Sequence, residues 1–493
     1  MEASAGIIPH PSAVYCRRMS AEPPGEAPVQ PSDTLPRLNR WVTGVALGVL
    51  AVLAVLVFWP SHGPDTLDQP EQALERVVSR DMDVRAAARA APAWERRLHA
   101  LAFSSDAAAR TDAISWFDEL VQIEGSPMAE LHRLILLAED GQTAAVQSAV
   151  AAWAPGDDWA GRLAAWARAA YGPEPPPPAE LRAALAAVRR ELPPGWFADR
   201  LAARLASRLG DAAAVADAER AIQARGTRLL WRLRGILAGE TLLVLLGLVA
   251  LAACLAGPGA RATRVATAPI PPPWSTADGV GLFARGAVGL VGVAVVWPFL
   301  PDTGWSTLLV SVLQTIPLGG YLLWRCGWSW RSLSETFGLR IPRLAPLAWA
   351  TLGLVGVSTL ADVLIDLGGT RLGVGAHWTD GFQERLVLGT PGEVVADALD
   401  SCVFAPVLEE PLFRGVLYGT LRLRLGPLPA TLASAALFAL AHGYGVVGFA
   451  SVFASGVLWA MAYERTRSLL PGMLAHAASN VQATAIVLAS LRF

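Results

Sequence analysis

The sequence predicts an all-α, polytopic membrane helix bundle with one N-terminal anchor helix and an inserted soluble α-helical domain. Composition is the first observation: of 493 residues, 53% are hydrophobic and 17% are charged, and the mean hydropathy is +0.40. The second is a series of nine apolar segments, most of them long enough to cross a hydrocarbon layer of ~30 Å. The third is residues 60–230, where apolar residues recur every three or four positions, as on amphipathic helices.

The N-terminal region divides into a tail and an anchor. Residues 1–40 are rich in Pro, Ser, Ala and Glu without hydrophobic periodicity, which predicts a disordered cytoplasmic tail starting at Met1 or Met19. Residues 41–59 carry no charge and predict a transmembrane anchor. A cleaved signal peptide is the alternative, but the apolar stretch is long and no small-residue cleavage site follows it. Four arginines before the anchor place the N-terminus in the cytoplasm: Arg17, Arg18, Arg37 and Arg40.

Residues 60–230 predict an extracytoplasmic α-helical domain, because the anchor carries the chain out of the cytoplasm. Helix cannot continue through Pro155–Asp158 or through the proline-rich Gly172–Pro178, so these segments separate packed helical hairpins. The spacing favours a solenoid-like stack, although it establishes no repeat. Two roles stay open for the domain: a helical spacer, or a module that binds a protein partner or substrate.

Eight further apolar segments follow the helical domain. If each crosses the membrane once, the arginine-rich loops all fall on the cytoplasmic side, which supports the segment count. We assign 231–278 to a transmembrane helix with a cytoplasmic linker and 279–493 to a membrane core. The segment 429–443 spans only about 22 Å at 1.5 Å per residue, so it is tilted, longer than its apolar run, or re-entrant. The segments are 235–256, 279–300, 304–324, 345–366, 395–421, 429–443, 446–463 and 470–490.

Charge and residue usage exclude several classes of function. The net charge of −2 and the scattered arginines offer no basic surface for nucleic acid. The sequence has no lysine, which excludes Ser-Lys dyads and Schiff-base chemistry. All 40 basic residues are arginine, as expected from a GC-rich genome, and this favours a bacterial protein of the inner membrane. Four scattered cysteines have neither disulfide-framework nor zinc-site spacing: Cys16, Cys254, Cys326 and Cys402.

Two adjacent carboxylates, Glu409 and Glu410, lie inside the apolar segment 395–421 together with Arg414. An unpaired ionisable side chain costs roughly 3 kcal/mol in a membrane helix, so these groups need partners or a function. On a helix, Glu410 and Arg414 are one turn apart and can form a structural ion pair, whereas Glu409 is rotated by about 100° and can face a cavity. Pro411 predicts a local kink beside the acids. The alternative is that the whole group only orders the bundle.

Two histidines and an asparagine follow in equally apolar surroundings. Phe438 lies one helical turn before His442 and can close the cavity floor behind its imidazole. His476 and Asn480 are also one turn apart on one helix face, where they could alternatively act as hydrogen-bonding glue between helices. The other five histidines are expected in the tail or in exposed regions. An acid, two imidazoles and an amide form a set that can handle a water molecule.

The three motifs, Glu-Glu-x-x-x-Arg, Phe-x-x-x-His and His-x-x-x-Asn in this order, resemble the CPBP intramembrane proteases. These include type II CAAX prenyl endopeptidases and bacteriocin-processing or immunity proteins. The resemblance covers about residues 390–491 and implies an eight-helix protease core with a water-filled cavity. It also implies that Glu409 is the catalytic acid and base and that His442 is its partner in activating water. His476 and Asn480 would position the water or stabilise the oxyanion.

Two mechanisms remain open. Glu409 and His442 can activate water without a metal, or His442, His476 and a glutamate can bind zinc and leave a fourth position for water. The histidines come from different helices and lack the compact His-Glu-x-x-His spacing, so the motifs do not decide between the two. We favour the metal-free mechanism.

The favoured interpretation is an intramembrane endopeptidase, surrounded by membrane lipid, that hydrolyses a membrane-associated protein or peptide. A CAAX substrate is implied only by the resemblance. One alternative is a membrane scaffold or bacteriocin-immunity-type binder that works through residues 60–230. Another is an ion-coupled transporter that uses further acids, but no internal symmetry of broken helices is visible. These acids are Asp362, Asp366, Asp397 and Asp400.

Overall fold

The computed structural model describes residues 39–58, 67–153, 156, 158–256, 264–296, 305–340, 343–374, 377–380 and 382–493. Every regular element in these ranges is a helix, which confirms the all-α prediction. The anchor is helix α1, Arg40–Phe58. Nearly all of the predicted disordered tail lies outside the described residues, so its disorder stays a prediction.

Eight helices and the first part of a ninth form the helical domain. Their apolar faces pack into one core that includes Leu74, Phe117, Leu134 and Leu205. Full burial of such a side chain contributes roughly 1.5–3 kcal/mol to stability, which explains why Ala- and Arg-rich helices hold together around a few large residues. The helices are α2 Pro70–Arg89, α3 Ala93–Ala102, α4 Asp106–Glu124, α5 Pro127–Glu139, α6 Thr143–Ala152, α7 Trp159–Tyr171, α8 Pro178–Glu191, α9 Trp196–Leu209 and α10 Ala212–Ala256.

The hairpin of α4 and α5 shows how local sequence sets the helix ends. Ser105 caps α4, because its hydroxyl accepts a hydrogen bond from the backbone N–H of Ala108. The helix ends at Gly125, whose φ of 64° lies in the left-handed region that favours glycine. Ser126 then caps α5 by accepting from the N–H of Ala129. The chain therefore turns within two residues and lays the two helices side by side.

Helix α10 joins the helical domain to the membrane part. It has 45 residues and is about 67 Å long at 1.5 Å per residue. In the domain, Arg225 on α10 binds Asp83 of α2 at 2.8 Å and Asp199 of α9 at 2.6 Å. The division predicted between residues 230 and 231 thus falls inside one continuous helix. The point along α10 at which the chain enters the membrane therefore stays a prediction.

His132 corrects one expectation from the sequence. It was expected in an exposed region, but it is buried in the core of the helical domain. Its ring stacks on Phe197, with centroids 4.2 Å apart, and meets Phe117 edge to face at 5.5 Å. Because burial disfavours the charged imidazolium, the pKa of His132 is lowered from 6.5 to about 3. The residue acts as a neutral aromatic group of the core.

Acid should destabilise the helical domain partly through His132. Between pH 6.5 and 3 the unfolded chain binds a proton that the folded domain does not, so this contribution is complete above pH 6.5 and is lost as the pH falls. At pH 5 the loss is about 2 kcal/mol. We expect His132→Phe to shrink the drop in unfolding temperature between pH 7.5 and pH 5, measured by scanning fluorimetry of the full chain. An unchanged drop would contradict this assignment.

The membrane part confirms a polytopic helix bundle. Six described helices are long and apolar enough to cross a membrane. Its helices and π-helices are α11 Thr276–Val296, α12 Ser306–Arg325, α13 Trp330–Phe337, α14 Leu344–Leu372, α15 Glu384–Leu388, α16 Pro391–Leu399, π1 Asp400–Phe404, α17 Ala405–Glu409, π2 Glu410–Tyr418, α18 Gly419–Leu421, α19 Pro427–Leu440, α20 Val446–Thr466, α21 Leu470–Val487 and π3 Leu488–Arg492. Helix α19 has only 14 residues, in line with the short apolar run noted in the sequence.

The helical domain docks on the connection between α14 and α16. His377 Nε2 lies 3.0 Å from a carboxylate oxygen of Glu119 on α4, and Trp378 is buried in the core of the domain. The carboxylate of Glu384 accepts hydrogen bonds from the backbone N–H groups of Asp68 and Gln69. The domain and this connection therefore lie at the same end of the bundle.

Candidate active site

Backbone geometry around Glu409 departs from a regular α-helix. Residues 391–421 are helical throughout, but π1 and π2 flank the α-helical turn α17 that ends at Glu409. Pro411, the second residue of π2, has no N–H to donate and so favours the wider turn. Each π turn inserts a residue relative to an α-helix and rotates the side chains that follow. The local distortion predicted beside the two acids takes this form.

Glu410 and Arg414 form a buried ion pair. Arg414 Nη1 donates to Glu410 Oε1 at 2.8 Å, and each side chain is 1% exposed. The guanidinium carbon lies 3.9 Å from the ring centroid of Phe438 and 5.0 Å from that of Trp459. Pairing and cation–π contact together offset the cost of burying the charge. A Cβ at Gly472 would lie 3.3 Å from Glu410 Oε2, so the glycine leaves room for the carboxylate.

Glu409 faces two imidazoles, His442 in the turn after α19 and His476 on α21. Its Oε2 lies 4.0 Å from His442 Nε2 and 3.8 Å from His476 Nε2. These distances are too long for direct hydrogen bonds, but a water molecule between the groups can donate one hydrogen bond to Oε2 and the other to one of the two nitrogens. Oε2 has no hydrogen-bond partner among the described residues. The side chains of Glu409 and His442 are 22% and 24% exposed, so the cluster is accessible from one side.

In each imidazole, Nδ1 makes a hydrogen bond that determines the tautomer. The tautomer in turn determines whether Nε2, the nitrogen that faces Glu409, has a free lone pair. His442 Nδ1 lies 2.8 Å from the carbonyl oxygen of Phe438. Because a carbonyl only accepts, Nδ1 carries the proton. His476 Nδ1 lies 3.1 Å from Glu410 Oε1, the carboxylate paired with Arg414, and donates to it in the same way. In their neutral forms both rings thus direct an unprotonated Nε2 toward Glu409.

Asn480 lies one turn after His476 on α21, and its amide binds the backbone of π1. Its Nδ2 donates to the backbone carbonyl of Ser401 in π1 at 2.6 Å. In the wider π turn, carbonyls are freed from the α-helical pattern and can accept such bonds. Asn480 therefore ties α21 to π1 with one N–H and retains a second N–H for another acceptor.

Sequence reasoning missed Trp459 and Tyr444. The Trp459 ring stacks on His476 at 4.3 Å with an interplanar angle of 20° and fixes the tilt of that imidazole. The Tyr444 ring lies 5.6 Å from His442. Neither lies three or four residues from an acid, an arginine or a histidine, so no pattern in the sequence distinguishes it from an ordinary membrane aromatic. Phe438 contacts both imidazoles and the guanidinium, as its proposed support of the cavity requires.

The donor types suit a metal, but the spacing does not. Two Nε2 lone pairs and a carboxylate are typical ligands of catalytic zinc, whose bonds of about 2.0–2.2 Å hold neighbouring ligand atoms about 3.4 Å apart. Here Glu409 Oε2 lies 3.8 and 4.0 Å from the two nitrogens. Over the described ranges, no group of three or more His, Cys, Asp or Glu side chains is arranged to hold a metal ion. The mechanism proposed below therefore uses only the groups of the protein itself.

A polytopic helix bundle with an acid, two imidazoles and a buried ion pair between its membrane helices has the architecture of an intramembrane hydrolase. Residues 391–482 match the family model Type II CAAX prenyl endopeptidase Rce1-like. This range contains all three motifs, so the resemblance to the CPBP family is confirmed for this segment, and the match supports a membrane endopeptidase. Comparison of the chain with curated proteins and with solved structures gave no match.

Proposed function

We propose that the protein is an intramembrane endopeptidase in which Glu409, His442 and His476 activate a water molecule. The observation that carries the proposal is the placement of Glu409 Oε2 at 3.8 and 4.0 Å from two imidazole Nε2 atoms. A carboxylate without a partner, next to two oriented rings, can hold water and accept its proton. The structural ion pair lies directly beside it but takes no part in this triangle.

The proposed reaction is a general-base hydrolysis. Water held at the triangle gives a proton to Glu409 as its oxygen attacks the carbonyl carbon of the scissile peptide bond. The oxyanion that forms accepts a hydrogen bond from the second N–H of Asn480 or from a protonated imidazole. Collapse of the intermediate breaks the C–N bond, and Glu409 returns the proton to the leaving amine. The products are an amine and a carboxylic acid, which releases its proton to solvent, and Glu409 is again ready to act as a base.

The ion pair acts in this scheme as a positioning group. Glu410 accepts from Arg414 on one side and from His476 Nδ1 on the other. It therefore holds the imidazole in the tautomer that presents Nε2 to the water. Trp459 and Phe438 enclose the same ring, so His476 is oriented from three directions. His442 is oriented by one backbone carbonyl and by its contact with the Phe438 ring.

The proposal is tested on the purified full chain in liposomes. Three probes are used: a farnesylated CAAX peptide, which the name of the matched family model suggests, its unprenylated copy, and a peptide with one apolar membrane span. We expect cleavage of at least one probe, detected by mass spectrometry, and a rate about a hundredfold lower for His442→Gln and for His476→Gln. Equal rates for the wild type and both variants would contradict the proposed roles.

Removal of divalent metal separates the two mechanisms. We expect the cleavage rate to be unchanged after treatment with EDTA and desalting, because the proposed base and the imidazoles need no metal to bind water. Metal content, measured on the same sample, serves as the control for complete removal. Loss of activity that is restored by added zinc would show that His442, His476 and Glu409 act as metal ligands.

The helical domain is proposed to lie outside the cytoplasm of a bacterial inner membrane, with the N-terminus of the chain inside. Positive-inside placement of the arginine loops supports this orientation. The contacts of the domain with the connection between α14 and α16 place it above one end of the bundle, where a membrane-associated substrate or a protein partner could meet it. Deletion of α2–α9 combined with the histidine variants separates this role from catalysis. A scaffold would lose its function with the deletion and keep it in the point variants.

A further inference from the structure

A polar pocket lies at the end of α12, separate from the Glu409 cluster. It has a volume of about 140 Å³, enough space for a phosphate group. Its lining includes Arg325, Cys326 and Gly327 at the end of α12, and Ser332 and Thr336 on α13. Trp274 closes another side and is itself held by a hydrogen bond from its Nε1 to Thr420.

Arg325 is the reason to regard this pocket as a binding site. Its side chain is only 6% exposed, and its nearest ionic partner, an oxygen of Asp278, is 3.7 Å away. Within the part of the chain that the structure describes, no hydrogen bond reaches this guanidinium, and its Nε is fully buried without a partner. A buried guanidinium with five N–H donors is costly unless acceptors satisfy them. An anion bound in the pocket would supply acceptors for the N–H groups of Arg325.

Helix α13 contributes two hydroxyl groups to the lining of the pocket. Ser332 and Thr336 lie one turn apart on the side of this helix, and the N–H of Ser332 is already capped by the hydroxyl of Ser329. The carboxylate of Asp278 also accepts from the hydroxyl of Ser275 at 2.7 Å, so it is shared and balances only part of the arginine charge.

An apolar groove on the same helix indicates which anion fits. The groove has a volume of about 360 Å³ and is lined on α12 by Ile316, Gly320 and Trp324, one turn apart from each other, and by Trp328 beyond the helix end. Trp324 precedes Arg325 in the chain, so the groove and the pocket lie at the same end of α12. Exposed tryptophans such as Trp328 and Trp330 are typical of the boundary between hydrocarbon and lipid head groups.

We propose that this pocket binds the phosphate of an anionic phospholipid, with an acyl chain of the same lipid in the groove on α12. Arg325 supplies the charge, Ser332 supplies a hydroxyl group, and Trp324 and Trp328 flank the chain. The bound lipid would brace α12 against α11 and α13 on the side of the bundle opposite to the helical domain. This site is independent of the proposed hydrolysis.

Native mass spectrometry of the full-length protein tests the proposal. Dioleoylphosphatidylglycerol is the lipid probe, diacylglycerol is the uncharged lipid, and glycerol 3-phosphate is the free anion. We expect Arg325→Gln to weaken binding of phosphatidylglycerol by about tenfold or more, as expected for loss of a charge-assisted contact. Arg331→Gln is the matched control, because it removes an exposed arginine from the same region. Equal binding by both variants and the wild type would overturn the site.

Two further measurements complete the test. The first distinguishes a lipid from a free anion, and the second does not require that Arg325→Gln folds. If glycerol 3-phosphate binds as tightly as phosphatidylglycerol, the lipid assignment is wrong. Cys326 lines the pocket, so in the wild type phosphatidylglycerol should slow its modification by N-ethylmaleimide, with Cys402 near Thr484 as the internal reference. Equal rates for Cys326 with and without the lipid would refute the proposal even if Arg325→Gln does not fold.

Discussion

Replacement of Glu409 by glutamine is expected to abolish peptide-bond hydrolysis and to leave the fold intact. Glutamine keeps the size of the side chain but cannot accept the proton of the attacking water, so kcat should fall by about 10²–10⁴-fold. Stability should change little, because Glu409 Oε2 has no hydrogen-bond partner among the described residues and the side chain is partly exposed. Retained activity of Glu409→Gln would show that Glu409 is not the general base.

The measurement does not need a known substrate. Membranes from cells that express the wild type or Glu409→Gln are compared for newly formed protein N-termini by mass spectrometry. Glu240→Gln is the matched control, since it neutralises another carboxylate of a membrane helix, on α10. Termini present with the wild type and with Glu240→Gln but missing with Glu409→Gln would identify substrates. A common set in all three samples would mean that Glu409 does not drive cleavage.

Loss of either partner of the buried ion pair is the second large effect. Glu410→Ala leaves the Arg414 guanidinium at 1% exposure without its carboxylate. Removal of one partner of a buried pair typically costs about 3–5 kcal/mol, a large part of the total stability of a domain. We therefore expect Glu410→Ala and Arg414→Ala to give little folded protein, judged by yield and by size-exclusion profile in detergent.

An exposed pair in the same protein provides the control. Arg331 and Glu335 are also one turn apart, at 3.0 Å, but are 75% and 52% exposed. Their loss should cost only about 0.3–0.5 kcal/mol, so Glu335→Ala should be produced normally. The double variant Glu410→Leu, Arg414→Met, which removes both charges, should recover folded protein relative to the single variants. Similar yields for Glu410→Ala and Glu335→Ala would contradict the assigned role of the ion pair.

The membrane helices and the two pairs within single helices were predictable from the sequence. Hydropathy over long runs identifies spans because the hydrocarbon layer requires a minimum apolar length. The spacing of Glu410 and Arg414, and of His476 and Asn480, places each pair on one helix face. The exposure expected for His132 was wrong, because burial depends on contacts with other helices and not on spacing within one helix. A histidine on an amphipathic helix carries no local sign of whether aromatic residues from other helices surround it, as Phe117 and Phe197 do here.

The sequence by itself determined the helical class, six of its nine apolar segments as long apolar helices, and the supply of one acid pair, two imidazoles and an amide. Only the tertiary structure decided that Glu409 faces both imidazoles, that Trp459 stacks on His476, and that Asn480 binds the backbone at Ser401. The physical reason is that helical spacing fixes directions around a single axis. Contacts between helices depend on how each axis is rotated and on the π turns beside Glu409, which shift that rotation.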